Sequence, residues 1–459
     1  MRLSREALLG AFLVVALGGG VALDLVTESL AAGPAPGAAP IFDERSVYCP
    51  PPPVLGETAS SVVLGTAAPG EVLVGIDQEE RVELAPERTL VVDTVAPTDL
   101  VGYGQEIVAS SLTRFTGKVG GTGAARCSKA ASTQWHFAEG SSAVGAEQRL
   151  LVYNPFPDEA VVSVSLLTPK GPESNARLAE GLAVPAGEAT VIELNEYIRQ
   201  HNFVGASIIA NRGRVIVWRA LQLSQTGRPD SAQFTLGATA PATEWFFPGG
   251  ALDEGIEERI SLLNPTDEEA VATVSLATGS ETIQPPQLLE VVIPPQTLLP
   301  LPLKDNVGGA DRRVGGASVI VRTTSGRVVA ERSVHYETGA LTGSASEVGA
   351  TRATSRWLAA PAVAEPRVDS IVLLNPGAEA VSVSLSLLSP GEKPLLPDAL
   401  QDLFVTGATR LQLPLTKWTR GEAYSVLVDA DGPVVAERFA AEGPDVAAVM
   451  GLPLKRNER

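Results

Sequence analysis

Ile260-Ser-Leu-Leu-Asn264-Pro265, followed by an acidic turn and then Ala272-Thr-Val274-Ser-Leu276, decides the fold class. The pattern occurs three times. Leu151-Val-Tyr-Asn154-Pro155 leads to Val162-Ser-Val164-Ser-Leu166, and Val372-Leu-Leu-Asn375-Pro376 leads to Val383-Ser-Leu385-Ser-Leu387. Counting from each Asn, an apolar residue recurs at +8, +10 and +12, which is the period of a β-strand with one buried face. The Pro holds the preceding Asn extended and cannot donate to a ladder, so it ends the first strand. Asp158-Glu159 and Asp267-Glu268-Glu269 keep two of the connecting loops solvated. The reading is a repeated β-hairpin.

Working outward, other landmarks keep the same phase. Trp135, Trp245 and Trp357 open corresponding segments, and eight residues before them stand Cys127, Gly237 and Gly349. A later segment carries Gly between two apolar runs and ends in Trp218-Arg219, Glu331-Arg332 or Glu437-Arg438. It reads as a second hairpin with Gly at its tip. A shorter copy comes first, with Tyr48-Cys49-Pro50 at the Trp position and Thr66-Ala67 in place of Asn-Pro. Only Leu194 to Phe203 reads as locally helical.

A unit of this size with six or seven short strands is on the scale of an immunoglobulin-like sandwich of ~100 residues. A propeller blade would repeat at ~40–50 residues. The expected fold is therefore all-β: tandem immunoglobulin-like β-sandwich modules behind an N-terminal export or anchor helix. The alternative is a propeller-like closure of the repeats. The expected divisions are a signal peptide or anchor at 1–30, a Pro/Ala/Gly spacer at 31–43, and β modules at 44–128, 129–238, 239–350 and 351–459.

Arg2 and Arg5 precede an apolar run from Ala7 to Leu23. That run is longer than a usual signal-peptide core and just short of a comfortable span of ~20 residues. A cleaved signal and an uncleaved anchor with its basic end inside both fit. Either puts the rest of the chain at the extracellular face of the membrane or in the medium. The net charge of −18 argues against nucleic acid, whose phosphates need Lys and Arg.

The W-x-F-x-E-G start (Trp135-His-Phe-Ala-Glu139-Gly140), the L-x-N-P strand end and the V-V-A-E-R strand resemble repeats of secreted actinobacterial proteins. These form domain-of-unknown-function family 5719. The resemblance spans most of the chain after residue 44 and implies an envelope or secreted protein with no assigned activity. Glu139-Gly140 becomes Gly249-Gly250 and Ala360-Pro361 in later units, so the resemblance carries no repeated catalytic carboxylate.

Several residues are candidates for chemistry. Arg219, Arg332 and Arg438, recurring at one strand position, are candidate ligand contacts for a carboxylated glycan. The competing reading lays each Arg across a sheet, paired with a carboxylate of its own unit. The Trp residues suit sugar stacking or core packing, and one per unit at a strand start favours the core. Trp135, Trp245, Trp357, Asn154, Asn264 and Asn375 therefore read as register marks of the fold. Asp429-Ala-Asp431-Gly432 lacks the further ligands and distal Glu of a calcium loop and reads as a polar turn. His136, His201 and His335 show no metal or nucleophile spacing. No catalytic, cofactor or metal residue is assigned. Cys49 and Cys127, an even pair in a chain with an export segment, fall on the first and last strands of one unit and are expected to form a disulfide. The function expected is a non-enzymatic envelope scaffold or interaction stalk, with an envelope protein or glycan as partner and the membrane contacted through the N-terminal helix. A wall-polysaccharide-binding protein is the alternative, and an exported hydrolase is the reading with least support.

Overall fold

The alternating stretch after Asn154 forms the strand Ala160–Thr168, and it does not pair with the strand before it. The preceding strand, Ala146–Tyr153, pairs with Ala189–Glu193 and Ile216–Leu223. Ala160–Thr168 pairs with Leu182–Val184 and Gly205–Arg212. The two strands flanking Asn-Pro lie in facing sheets, so the expected hairpin is instead an arch over the edge of a sandwich. The Asn amide builds it. Asn154 is wholly buried; its Nδ2 donates to the carbonyls of Asp158 (2.8 Å) and Val184 (3.1 Å), and its Oδ1 accepts from Phe156 N (3.1 Å). Asn264 does the same with Glu268, Ile293 and Thr266, and Asn375 with Glu379, Val405 and Gly377. One amide thus closes the crossing loop and ties it to the sheet it enters.

The second expected hairpin is also a crossing. Gly205–Arg212 and Ile216–Leu223 belong to different sheets. In the last unit one strand, Ser425–Glu442, runs through both sheets, pairing first with Val381–Leu388 and then with Val368–Asn375. Strands that switch sheets make the corners of a sandwich. Gly213 and Gly326 sit at two of these corners with φ of 76° and 67°, which an L side chain rarely adopts.

The computed structural model describes residues 44–454, apart from 54–57, 67–71, 77–79, 85–88, 95, 104–106, 116–118, 225–229, 307–315, 361–365, 390–392 and 420–423. The expected export segment and spacer lie outside the described residues, as does Ala67. The second unit shows the plan. One sheet has the order Ala189–Glu193, Ala146–Tyr153, Ile216–Leu223, Ser231–Leu236. The other has Gly171–Glu173, Ala160–Thr168, Gly205–Arg212, Gln134–Phe137. Among the described residues these pairings are antiparallel, and no sheet closes into a barrel. The third and fourth units repeat the plan, and the first keeps two four-stranded sheets.

Two sequence expectations shift. Tyr48 bridges Ser128 as His136 bridges Ala238 and Phe246 bridges Ala350, so Val47, not Tyr48, holds the Trp position. Short helical turns follow the same strand in three units, at Leu194–Glu196, Leu303–Asn306 and Thr416–Thr419, so helix is not confined to one. Turns of three or four residues are too short to show a helical period. Among the described residues no helix is long and apolar enough to cross a membrane.

The sandwiches also close on one another. In each case the sheet that holds one module's opening strand packs on the other sheet of the next module. Tyr153 Oη donates to Asp99 Oδ1 (2.8 Å) between the first and second modules. Gly205 lies against Leu263 between the second and third, and Arg410 N donates to Thr278 O (2.8 Å) between third and fourth. The fourth then returns to the first. Thr89 Oγ1 donates to Ser425 Oγ (2.8 Å) or Leu388 O (2.9 Å), above an apolar cluster of Val108, Leu358, Leu388, Leu427, Leu452 and Leu454. One late strand from each module, Gly121–Arg126, Ser231–Leu236, Thr342–Val348 and Asp445–Met450, comes to the centre. There Arg126 of the first module reaches Glu347 of the third at 3.1 Å. The repeats are sandwiches, and their arrangement is a closed ring.

Candidate functional site

The recurring arginines are buried, and two of them join modules. Arg219 (second module) meets Glu331 (third) at 2.8 Å with neither side chain exposed, and it donates to Glu139 O and Ser346 Oγ. Glu331 also accepts from Ala138 N and Glu139 N, both at 3.0 Å. Arg332 (third) repeats this one module on, paired with Glu437 (fourth) and donating to Gly249 O, while Gly249 N donates to Glu437 at 2.9 Å. Arg438 pairs within its own module, with Asp369 at 2.7 and 2.9 Å. A carboxylated ligand has no route to these guanidiniums. The expected same-unit partner holds for Arg438 alone.

The pairing follows a rule visible in the repeats. An Arg reaches forward to the Glu that precedes the next module's Arg. By the strand registers, the first module has Ser110-Ser111 where later modules have Glu-Arg, and the second has Trp218 at the Glu position. Where the forward Arg is missing, the receiving Glu is missing too. Trp218 Nε1 donates instead to Arg126 O (3.0 Å) of the first module. The first module offers Ser110 and no carboxylate to Arg438, which turns back to Asp369. The third module carries one carboxylate beyond its needs. Glu258 stands near Arg332, Arg410 and Glu437, and burial raises its carboxyl to about 7. Glu347, at the ring centre, is raised by burial to about 8 despite Arg126.

The Trp residues are buried and donate from Nε1 to the carbonyls of Val215, Val328 and Val434, at 2.7–2.8 Å. Cys49 and Cys127 form the disulfide. Their places are informative: Cys49 stands where the second and third modules have Phe137 and Phe247, and Cys127 where they have Gly237 and Gly349. In those modules the Phe ring covers the Gly so closely that a Cβ there would lie 2.7–2.8 Å from it. In the smaller first module the covalent bond replaces that contact.

Of the histidines, His136 is buried, its Nδ1 lies 2.9 Å from Ser207 Oγ, and burial lowers its pKa to about 4. Its Nε2 has no hydrogen-bond partner among the described residues, so no carboxylate completes a triad. The expected polar turn is not what forms here: Asp429 and Asp431 lie within the continuous strand Ser425–Glu442 where it passes between sheets, Asp429 pairing with Arg356 (2.7 Å) and Asp431 accepting from Ser382 N (2.9 Å).

A cleft of about 350 Å³ lies between the second and third modules. Glu139, Ser141, Asn202 and Phe203 line one side, Leu221, Leu223, Ser231 and Gln233 another, and Glu257, Arg259, Ser333, His335 and Ser344 the third. Glu139 is held by Arg259 and by Ser261 Oγ (2.7 Å), and Arg259 lies 4.8 Å over the Phe203 ring. The sequence reading singled out only Glu139 and His335 here. Aligning Ser231-Ala-Gln233 with Gly343-Ser-Ala345 would have shown that the polar pair belongs to one module alone.

The profile of the family of unknown function DUF5719 matches residues 102–227 and 218–446. The chain belongs to DUF5719. Both matches run across module boundaries. No curated protein matches the sequence. Among solved structures it is similar to the Streptomyces avermitilis α-L-rhamnosidase complexed with L-rhamnose, at 10% identity and a TM-score of 0.12. That alignment covers 83% of this DUF5719 chain and 55% of the enzyme, so the chain spans about half the enzyme's length. At that score the likeness carries no argument about fold or activity.

Proposed function

We propose that this DUF5719 protein is an exported, non-catalytic scaffold or interaction protein of the cell envelope, tethered through its N-terminal segment or released. The observation that carries the reading is the use made of the repeated residues. The Trp, Asn and Arg marks serve packing, arch closure and module-to-module pairing, so the repeat is a building unit and not a repeated chemical site. The Cys49–Cys127 disulfide supports an oxidising compartment. Ring closure changes the kind of scaffold: a compact body that presents loops and clefts, in place of the extended stalk expected from tandem modules.

Expression of the whole chain with a C-terminal tag tests the proposal. A membrane-impermeant label should reach the protein on intact cells, and it should fractionate with the envelope or medium in oxidised form. Recovery in the cytosol with two free thiols would overturn it. Purified cell wall added to the protein then separates a spacer, which is not retained, from an interaction protein.

A further inference from the structure

We propose that the cleft between the second and third modules is a binding site for a neutral saccharide. Counting from the recurring Arg and its cross-strand partner, the residues lining this junction have counterparts at the junction of the third and fourth modules. Ser231 and Gln233 correspond to Gly343 and Ala345, and Ser344 to Val446. Leu223 corresponds to Tyr336, and Ser333 to Phe439.

At the later junction these residues make a filled apolar cluster of Ile256, Val334, Tyr336, Ala345, Ala441 and Val446, with the Tyr336 and Phe439 rings 5.5 Å apart. Between the first and second modules Gly121 and Gly123 lie against Ala232 and Phe234 so closely that a Cβ would meet them at 2.7–2.8 Å. Between the fourth and first, Ala124, Ala440, Ala447 and Val449 pack together. Among the described residues, three junctions are filled, and the second-to-third keeps a polar cavity.

Keeping it polar works against stability. Gln233 is 2% exposed, and its Oε1 has no hydrogen-bond partner among the described residues, although its Nε2 donates to Ser344 Oγ (3.1 Å). A buried acceptor left unmet is destabilising, and the fold shows next door how to avoid that. Departures of this kind from a protein's own packing rule concentrate at functional sites.

The lining selects the ligand. Four serine hydroxyls, the Asn202 and Gln233 amides and the unmet acceptor ask for a ligand rich in hydroxyl groups. Leu221, Leu223 and Phe203 offer apolar surface to the C–H face of a ring. Among the described lining residues the one Arg or Lys is Arg259, committed to Glu139, and Glu257 adds a carboxylate at the rim, so this wall does not favour an anion. The volume suits a ligand of one or two sugar rings. The site goes beyond the scaffold reading, which stands or falls on location and not on this cleft.

The full chain would be titrated with methyl glycosides of glucose, galactose, mannose and arabinose and with their disaccharides, with glucuronate and glucosamine as charged arms. Saturation-transfer NMR detects binding and calorimetry measures it. At least one neutral sugar should bind with Kd in the millimolar range or tighter. The paired substitution Leu223→Tyr with Ser333→Phe, which copies the filled junction, should abolish binding with the thermal midpoint unchanged or raised. Gln233→Ala, which removes the acceptor without adding bulk, should weaken binding about tenfold. No neutral sugar binding at about 10 mM, binding only of glucuronate, or binding that survives both variants would overturn the proposal.

Discussion

Arg219 in the second module and Glu331 in the third, 112 positions apart in the chain, meet at 2.8 Å with neither side chain exposed to solvent. The pair is one of two made by the same forward step around the ring, the other being Arg332 with Glu437. Burying both charges confers little net stability by itself, because desolvation offsets most of the attraction. Its consequence is specificity. A module that presents Arg fits ahead of a module that presents Glu, and one that presents Ser111 fits ahead of one that presents Trp218.

Breaking that pair from one side should be costly. Arg219→Met leaves Glu331 buried with only its amide and hydroxyl donors, and about 3–5 kcal/mol should be lost in chemical denaturation. Arg219→Met combined with Glu331→Leu should recover most of the loss. A double variant as unstable as the single one would mean that the charges contribute more than pairing.

Two buried carboxylates of the third module should make the ring pH-sensitive in an unusual direction. Burial raises Glu258 to about 7 and Glu347 to about 8, above the ordinary carboxyl value of 4.5. The folded protein therefore holds these protons more tightly than the unfolded chain. The stability they contribute is fully present below about pH 4.5 and is lost as pH rises through 7 to 8. Thermal midpoints measured from pH 5 to 8.5 should fall, and Glu258→Gln with Glu347→Gln should flatten the slope. An unchanged slope in the double variant would assign it to other groups.

At the arches, Asn264→Ala should cost about 1–3 kcal/mol, since two backbone carbonyls and the Thr266 amide lose partners together. Asn264→Asp should be worse at neutral pH, because a carboxylate would face those same two carbonyls. Equal stability of the Ala and Asp variants would show that the donors of the amide do not matter.

In the first module, reduction of the disulfide should destabilise by roughly 2–4 kcal/mol. Cys49→Phe with Cys127→Gly should restore part of that loss by rebuilding the Phe137-over-Gly237 contact of the second module. Denaturation of the reduced protein beside this variant measures the difference. A variant weaker than the reduced protein would show that the smaller core has no room for the ring.

The strands and their phase were legible in the sequence because alternation has a period of two and each unit repeats its Trp and Asn. Which strands pair was not, since alternation fixes a buried face and says nothing of the neighbour. For that reason two sheet-switching corners read as hairpins. The buried Asn amide that makes the arch leaves no trace beyond Asn-Pro itself. Ring closure was hidden for a different reason: Thr89 and Ser425 are far apart in the chain and carry no pattern that links them. The complementary loss of Ser110-Ser111 and Trp218 was on the page, and reading the copies against one another as neighbours would have exposed it. The cleft needed the same comparison, because its residues are ordinary serines and a glutamine until the filled counterpart is set beside them.

Small-angle X-ray scattering of residues 45–459 with the disulfide intact tests ring closure most directly. A closed body of this length should have a radius of gyration near ~22 Å. Four modules strung end to end, at about the same number of residues, would exceed ~35 Å and would contradict the return of the fourth module to the first.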